Sequence, residues 1–197
     1  MAAHQKKTRD LHATLGFTDE SGFLLAPLTR RTLARVGHTP LLLHRARHRD
    51  KVSAAAALLL SPASGRVKLF YQTFADTYVD AELYSFFVRH LLWTVRGHLV
   101  LVHDNGNMHR GEPIRDLREQ FARLHLHDLP TYAPELNPVE YLWNWCKDKQ
   151  LCNFTPHDVP ELDAAACACL EYAREDQQRL RSFFASSPLS WHGTGLI

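Results

Sequence analysis

The chain has 197 residues, 45% of them hydrophobic, and this size and composition predict one compact domain with a single core. Its 23 basic and 21 acidic residues leave a formal net charge of +2, which excludes no class of partner. No segment reaches the roughly 18 apolar residues of a membrane helix, and residues 1–10 lack the apolar core of a signal peptide. We therefore expect a cytoplasmic protein without a membrane segment. The four cysteines show no paired spacing, which favours buried thiols over zinc ligands or disulfides.

The first half of the chain has the pattern of antiparallel strands. Apolar and polar residues alternate from 11 to 18, which predicts a strand with one buried face that ends at Asp19. Ser21 and Gly22 predict a turn, after which residues 23–25 return as a hairpin partner. The apolar segments 52–60 and 66–74 predict a second hairpin.

A basic segment separates these two hairpins. Residues 30–51 contain seven arginines and lysines against Asp50 alone, so the rest of the chain is net acidic. This uneven charge distribution suits a polyanion bound along one face of the protein, although a solvated loop accounts for it equally well. The candidates for phosphate contacts are Arg30, Arg31, Arg45 and Arg47.

The second half alternates between helices and strands, which indicates parallel pairing. Asp80 is a helix N-cap, and Gly97 is a stop signal for that helix. The segment HLVLVHD at 98–104 predicts a strand that is buried on both faces. A short charged helix over 113–121 and a strand around Leu124 and Leu126 follow.

Two more helices are predicted near the end of the chain. Asn137 and Pro138 form a strong helix start, and this helix runs to Lys147. Trp143 and Trp145 cannot share a face on it, and Trp143 is expected in the core. Apolar residues at helical spacing over 162–173 predict the final helix. We expect one domain over 1–185 and a flexible tail over 186–197.

Three acids occupy comparable places in this pattern. Asp19 ends the first strand, Asp104 ends the buried strand, and Glu140 lies in the first turn of the helix that follows the last strand. If they meet at one sheet edge, their oxygens suit Mg²⁺ or Mn²⁺ better than zinc. Two such ions activate the attacking oxygen and stabilise the leaving oxygen in phosphoryl transfer, which points to a nucleic acid backbone.

Each acid also has a structural explanation. The Asn-Gly pair after Asp104 is a tight-hairpin signal, although 108–112 does not resume a strand pattern. Glu140 stands at the capping-box position of a helix that begins after Asn137, and Asp19 precedes polar turn residues. Two carboxylates also serve in glycoside hydrolysis, but no other feature indicates a sugar cleft. On the pattern alone, both the metal site and these structural roles stay open.

Three sequence blocks resemble the mariner-like DDE transposases of bacterial insertion sequences, also described as DDE-superfamily endonucleases. They are FTDESGF at 17–23 with GHTP at 37–40, VHDN at 102–105 with His109, and LPTYAPELNPVE at 129–140 with Trp143 and Lys147. The third block is long and specific. The 35 residues between Asp104 and Glu140 are also close to the family's spacing.

The resemblance implies an RNase H-like α/β fold, a mixed five-stranded sheet flanked by helices. It assigns catalysis and the binding of two Mg²⁺ or Mn²⁺ ions to Asp19, Asp104 and Glu140. Asn105 and His109 are candidates for support of the site, although a histidine five residues after a strand is more often an ordinary surface group. The implied activity is DNA strand cleavage and strand transfer at insertion-sequence ends, in the bacterial cytoplasm at the nucleoid.

Two positions differ from the family pattern, with Leu33 in place of a tryptophan and Ala133 in place of a serine. Relatives carry a helix-turn-helix region before the first acid, but only eighteen residues precede Asp19 here. We therefore expect that DNA-binding domain to be absent, either lost or encoded as a separate subunit. The expected partners are double-stranded DNA and a second copy of the chain. Two alternatives are a catalytically impaired remnant that only binds DNA or protein, and a general metal-dependent nuclease.

Overall fold

The computed structural model describes residues 11–43 and 50–190, which form a mixed five-stranded sheet flanked by helices. The strands are β1 (Thr14–Leu24), β2 (Lys51–Leu60), β3 (Val67–Ala75), β4 (Leu99–His103) and β5 (Leu124–Asp128). Their order across the sheet is β3-β2-β1-β4-β5. The β1–β2 and β2–β3 pairs are antiparallel, whereas β4 lies parallel to both β1 and β5. The predicted change from antiparallel to parallel pairing is confirmed.

The first predicted hairpin is wrong, because β1 continues straight through Ser21 and Gly22. Ser21 pairs with Ala54 and Gly22 with Ser53, so β2 takes the place of the expected partner at residues 23–25. Parallel pairing with β4 ends at Phe17, whereas antiparallel pairing with β2 runs on to Leu24. Asp19 therefore lies inside a long strand, just beyond the carboxyl end of its parallel neighbour.

Helices cover both faces of the sheet. They are α1 (Ala81–Thr94), α2 (Glu112–Gln120), α3 (Pro138–Trp145), α4 (Val159–Glu175) and α5 (Gln177–Ser186). One core cluster joins one sheet face to α3, α4 and α5, and the other joins the opposite face to α1 and α2. Because both faces are covered, β2 and β4 are buried along their whole length. This explains the continuous apolar runs in their sequences.

The helix boundaries follow local capping chemistry. Asp80 accepts a hydrogen bond from the Leu83 amide at 2.9 Å and begins α1. Asn137 caps α3 by accepting a hydrogen bond from the Val139 amide at 3.1 Å. After α3 the chain makes one π-helical turn over Cys146–Gln150, so the helix predicted to run to Lys147 changes its winding two residues earlier.

The last helix, α5, was not predicted from the sequence, since the predicted final helix ends near residue 173. Asp176 starts it by accepting from the Arg179 amide at 3.0 Å, and its apolar side pairs Phe184 edge-to-face with Phe17. The expected domain end at residue 185 falls inside this helix. Ser187 just after it is buried and donates to the Leu136 carbonyl at 3.0 Å. Within the described residues, no helix has the length and apolar character needed to cross a bilayer.

Candidate active site

Asp19 is held on the sheet face that packs against α3. Its side chain is 8% exposed, and Oδ2 accepts a hydrogen bond from Trp143 Nε1 at 3.0 Å. Burial raises the pKa of Asp19 well above its usual value, and the charges of Glu140, Glu20 and Asp104 raise it further. The Trp143 contact lowers this pKa. Trp143 is thus both a core residue, as predicted, and a partner of the first acid.

Asp104 follows the last residue of β4 and is fixed by two local contacts. Its Oδ1 accepts a hydrogen bond from the Gly106 amide at 2.9 Å and lies 2.9 Å from His109 Nε2. The hydrogen bond from His109 holds the pKa of Asp104 below its usual value. The chain then enters the 3₁₀ turn Asn107–His109, so the Asn-Gly pair does not make a hairpin.

Glu140 is positioned by the cap of α3. Asn137 Nδ2 donates to the Thr18 carbonyl at 3.1 Å, which ties the start of this helix to β1. In a capping box, the Glu140 side chain would accept a hydrogen bond from the backbone N–H of Asn137. That N–H instead donates to the Pro134 carbonyl at 2.9 Å. Burial raises the pKa of Glu140, Asp104 raises it further, and Lys147 lowers it.

The three acids line one cavity of about 380 Å³. Its other walls come from the loop after β4 and from the loop between β5 and α3. Like charges raise the pKa of Asp19, so the cluster favours a bound cation. Hard carboxylate oxygens in this arrangement suit Mg²⁺ or Mn²⁺. In the described part of the chain, no three Asp, Glu, His or Cys side chains converge closely enough to form a ready-made ligand set.

His109 and Asn105 occupy the same region. His109 is only 3% exposed, so the expectation of an ordinary surface histidine is wrong. Burial lowers the pKa of His109, but hydrogen bonding to Asp104 and Glu20, together with their charges, outweighs it and raises this pKa to about 9. Asn105 accepts a hydrogen bond from Arg110 and donates to Thr131 Oγ1 at 3.4 Å, which links the loops on either side of the cavity.

Lys147 does not line the cavity, but its charge interacts with Glu140 and Asp19, a role that the sequence did not predict. Its Nζ donates to Ser21 Oγ at 2.6 Å on β1. Burial lowers the pKa of Lys147, whereas the charges of Glu140 and Asp19 raise it. Lys147 stands seven residues after Glu140, about two helical turns, and this spacing is the signal that could have identified it.

The basic segment is less uniform than its sequence indicates. Arg30 pairs with Asp148 at 2.7 Å, and Arg31 is exposed. Arg45 and Arg47 lie outside the described residues. Lys51, which was counted with this segment, is buried in β2 with its amine against the ring of Tyr78.

The mixed sheet and the shared carboxylate cavity define an RNase H-like domain with a candidate cation site. Residues 14–163 match the family described as DDE superfamily endonuclease, and the chain belongs to that family. The prediction of a DDE-superfamily endonuclease domain is therefore confirmed, and so is the predicted RNase H-like fold. No curated protein is significantly similar to the chain.

Solved structures of a mariner transposase share this fold. The Mos1 transposase paired-end complex with the left transposon end has a TM-score of 0.62 at 15% identity, covering 94% of this chain and 55% of that one. The Mos1 mariner paired-end complex with Mg has a TM-score of 0.61 at 15% identity, with the same coverage. The isolated Mos1 catalytic domain has a TM-score of 0.51 at 14% identity, covering 94% and 88%. The chain thus spans about half the length of the full Mos1 chains.

Proposed function

We propose that this chain is the catalytic domain of a DDE transposase that performs Mg²⁺- or Mn²⁺-dependent DNA strand cleavage and strand transfer at insertion-sequence ends. The observation that carries the proposal is the shared cavity of Asp19, Asp104 and Glu140 in a chain of the DDE endonuclease family. The Mos1 structures, which include complexes with transposon ends, Mn and Mg, support the same substrate and ions.

In this proposal Asp19, Asp104 and Glu140 hold two divalent ions. When bound, the ions polarise the attacking oxygen and stabilise the leaving oxygen of an in-line phosphoryl transfer. The chain contributes the orientation of its acids. Trp143 fixes Asp19 through Oδ2, and His109 fixes Asp104 through Oδ1. Asn137 places the first turn of α3, and with it Glu140, beside β1.

Other residues are assigned supporting roles. Asn105 bridges the loops that flank the cavity, and His109 orients Asp104. Arg30 and Arg31 are proposed to contact phosphates on the incoming duplex, as are Arg45 and Arg47 outside the described residues. Such contacts position DNA without reading its sequence. The ion pair of Arg30 with Asp148 is exposed, so a phosphate can replace that carboxylate at little cost.

The assembly in this proposal is a homodimer on double-stranded DNA, served by a separately encoded helix-turn-helix subunit and acting at the bacterial nucleoid. The Mos1 paired-end complex, a structure with the left transposon end, supports DNA as the partner of this fold. A pull-down with DNA that carries the element's terminal repeats tests whether this chain needs a second protein to bind.

The test uses purified protein, Mn²⁺ and a labelled duplex with the element's terminal repeats. We expect the wild-type protein to nick at the repeat boundary. The Asp104→Asn variant should nick at least about a hundredfold more slowly than the wild type, since it lacks one carboxylate charge of the proposed ion site. The matched control, Asp116→Asn, changes an exposed aspartate on α2 and should cut at the wild-type rate.

Three outcomes would contradict parts of the proposal. Equal cleavage by wild type and Asp104→Asn would refute the role of the three acids. Cleavage without preference for terminal repeats would indicate a general nuclease. DNA binding without cleavage, with either ion, would indicate a catalytically impaired remnant.

A further inference from the structure

Glu20 is a partly buried acid that stands next to Asp19 but points to the other face of the sheet. Side chains alternate along a strand, so consecutive residues of β1 face opposite sides. Asp19 contacts Trp143 of α3, whereas Glu20 contacts His109 on the side covered by α1. The Glu20 side chain is 11% exposed.

His109 lies between two carboxylates. Its Nε2 is 2.9 Å from Asp104 Oδ1 and 3.4 Å from Glu20 Oε2. The imidazole also packs edge-on against the ring of Tyr84 and tilted against that of His103, with both centroid distances at 4.3 Å. The ring is therefore confined by its neighbours, and its Nε2 faces both carboxylates.

Glu20 does not belong to the cavity that the three acids line. Its Oε1 is buried and has no hydrogen-bond partner among the described residues. A buried carboxylate oxygen without a partner costs stability, so stability of the fold does not account for an acid at this position. The contact that remains for this carboxylate is the one with His109.

We propose that Glu20 is a positioning residue that orients Asp104 for metal binding through the His109 imidazole. Both carboxylates lie against the same imidazole nitrogen, Nε2, and of these three groups only Asp104 lines the cavity. Groups that hydrogen-bond to metal ligands fix ligand geometry, and removing one typically costs about 10- to 100-fold in metal affinity or activity. The inference rests on the proposed function, since it assigns Asp104 as a metal ligand.

The test compares Glu20→Gln with the wild-type chain in two measurements. Gln keeps the size of the side chain and removes its charge. We expect the affinity for Mn²⁺, measured from the free-ion signal in electron paramagnetic resonance, to fall about tenfold. DNA nicking should fall at low Mn²⁺ and recover at high Mn²⁺, whereas Asp104→Asn should not recover. The matched control Glu119→Gln, at an exposed position of α2, should match the wild type.

A double-mutant cycle tests whether Glu20 acts through His109. In a His109→Leu background the Glu20→Gln change should have no further effect on Mn²⁺ affinity, because the group between the two carboxylates is gone. If His109→Leu does not fold, as judged by circular dichroism, His109→Gln replaces it. Gln keeps a hydrogen-bond donor for Asp104, so the His109→Gln variant should retain more Mn²⁺ affinity than the Asp104→Asn variant.

Two results would overturn the inference. One is a Glu20→Gln variant that binds Mn²⁺ as tightly as the wild type. The other is a Glu20→Gln change that lowers Mn²⁺ affinity equally in the wild-type and the His109→Leu backgrounds. Failure of the proposed function looks different. A chain that binds Mn²⁺ but cuts no DNA refutes the transposase activity, while the Mn²⁺ titrations still decide the role of Glu20.

Discussion

Replacing Trp143 by phenylalanine tests how the core supports the site. Trp143 is 2% exposed, packs edge-to-face with Phe23 and donates to Asp19 at 3.0 Å. Phenylalanine keeps an aromatic ring in the core and removes the N–H donor. A hydrogen bond to a charged group contributes about 1.5–3 kcal/mol. The smaller ring adds a cavity cost of about 1 kcal/mol. We expect Trp143→Phe to lower the free energy of unfolding by about 2.5–4 kcal/mol, roughly 5–15 °C in Tm.

The same substitution should change metal binding through Asp19. The Trp143 hydrogen bond lowers the pKa of Asp19, while burial and three neighbouring carboxylates raise it. Without that bond the pKa of Asp19 rises further, so a cation must displace a proton over a wider pH range. Mn²⁺ affinity should therefore fall more at the lower of two pH values than at the higher one. Urea unfolding followed by circular dichroism measures stability, and Mn²⁺ titration at both pH values measures affinity.

Trp145→Phe is the matched control for this prediction. Trp145 lies two residues further on, stacks on Tyr172 with centroids 6.1 Å apart, and lies under the guanidinium of Arg179 at 4.6 Å. Its substitution removes packing of the same kind without touching Asp19. Two results would contradict this reasoning: equal Mn²⁺ affinity in both variants, or a loss of affinity in Trp143→Phe that does not depend on pH. Either would mean that the Trp143–Asp19 hydrogen bond does not favour cation binding at Asp19.

Two further predictions concern stability. Asp19→Asn should abolish cleavage yet raise the free energy of unfolding at pH 7 without metal by about 1–3 kcal/mol, because it removes a buried charge. The raised pKa of Asp19 gives stability that is fully present below pH 3.8 and is lost as pH rises through the folded pKa. The Asp19→Asn variant should therefore lack this part of the pH dependence of Tm above pH 3.8, and Mn²⁺ should not raise its Tm. Gly16→Ala should lower the free energy of unfolding by about 1–3 kcal/mol, because the added Cβ would lie 2.9 Å from side-chain atoms of both Leu59 and Leu101. The control is Gly22→Ala, where the space around the added Cβ is open. Equal Tm values for the two variants would contradict the prediction.

Some of the site was predictable because local chemistry specifies it. The apolar run of β4 marks a strand covered on both faces, so Asp104 could be placed at its end. Asn137 and Pro138 start α3 by capping geometry that depends on neighbouring residues alone, which places Glu140 in the first turn. Even the missed helix had a local signal, since Leu180, Phe183 and Phe184 recur at helical spacing after Asp176.

The position of Asp19 was predicted less well, because it depends on a distant strand. Ser21 and Gly22 have the composition of a turn, but their partners on β2 lie more than thirty residues further along the chain. Pairing with β2 keeps this segment extended, and Gly22 has no positive φ that would mark a turn. Long-range pairing therefore overrides the local preference.

By itself the sequence predicted the strands and helices of the second half except α5, the three candidate acids and the family. Those features depend on periodicity, capping and motif, all of which are local. Tertiary structure alone decided that β1 runs on past β4, that His109 is buried between Asp104 and Glu20, and that Trp143 reaches Asp19. These contacts join residues from separate elements, and their distances depend on how the helices pack on the two faces of the sheet.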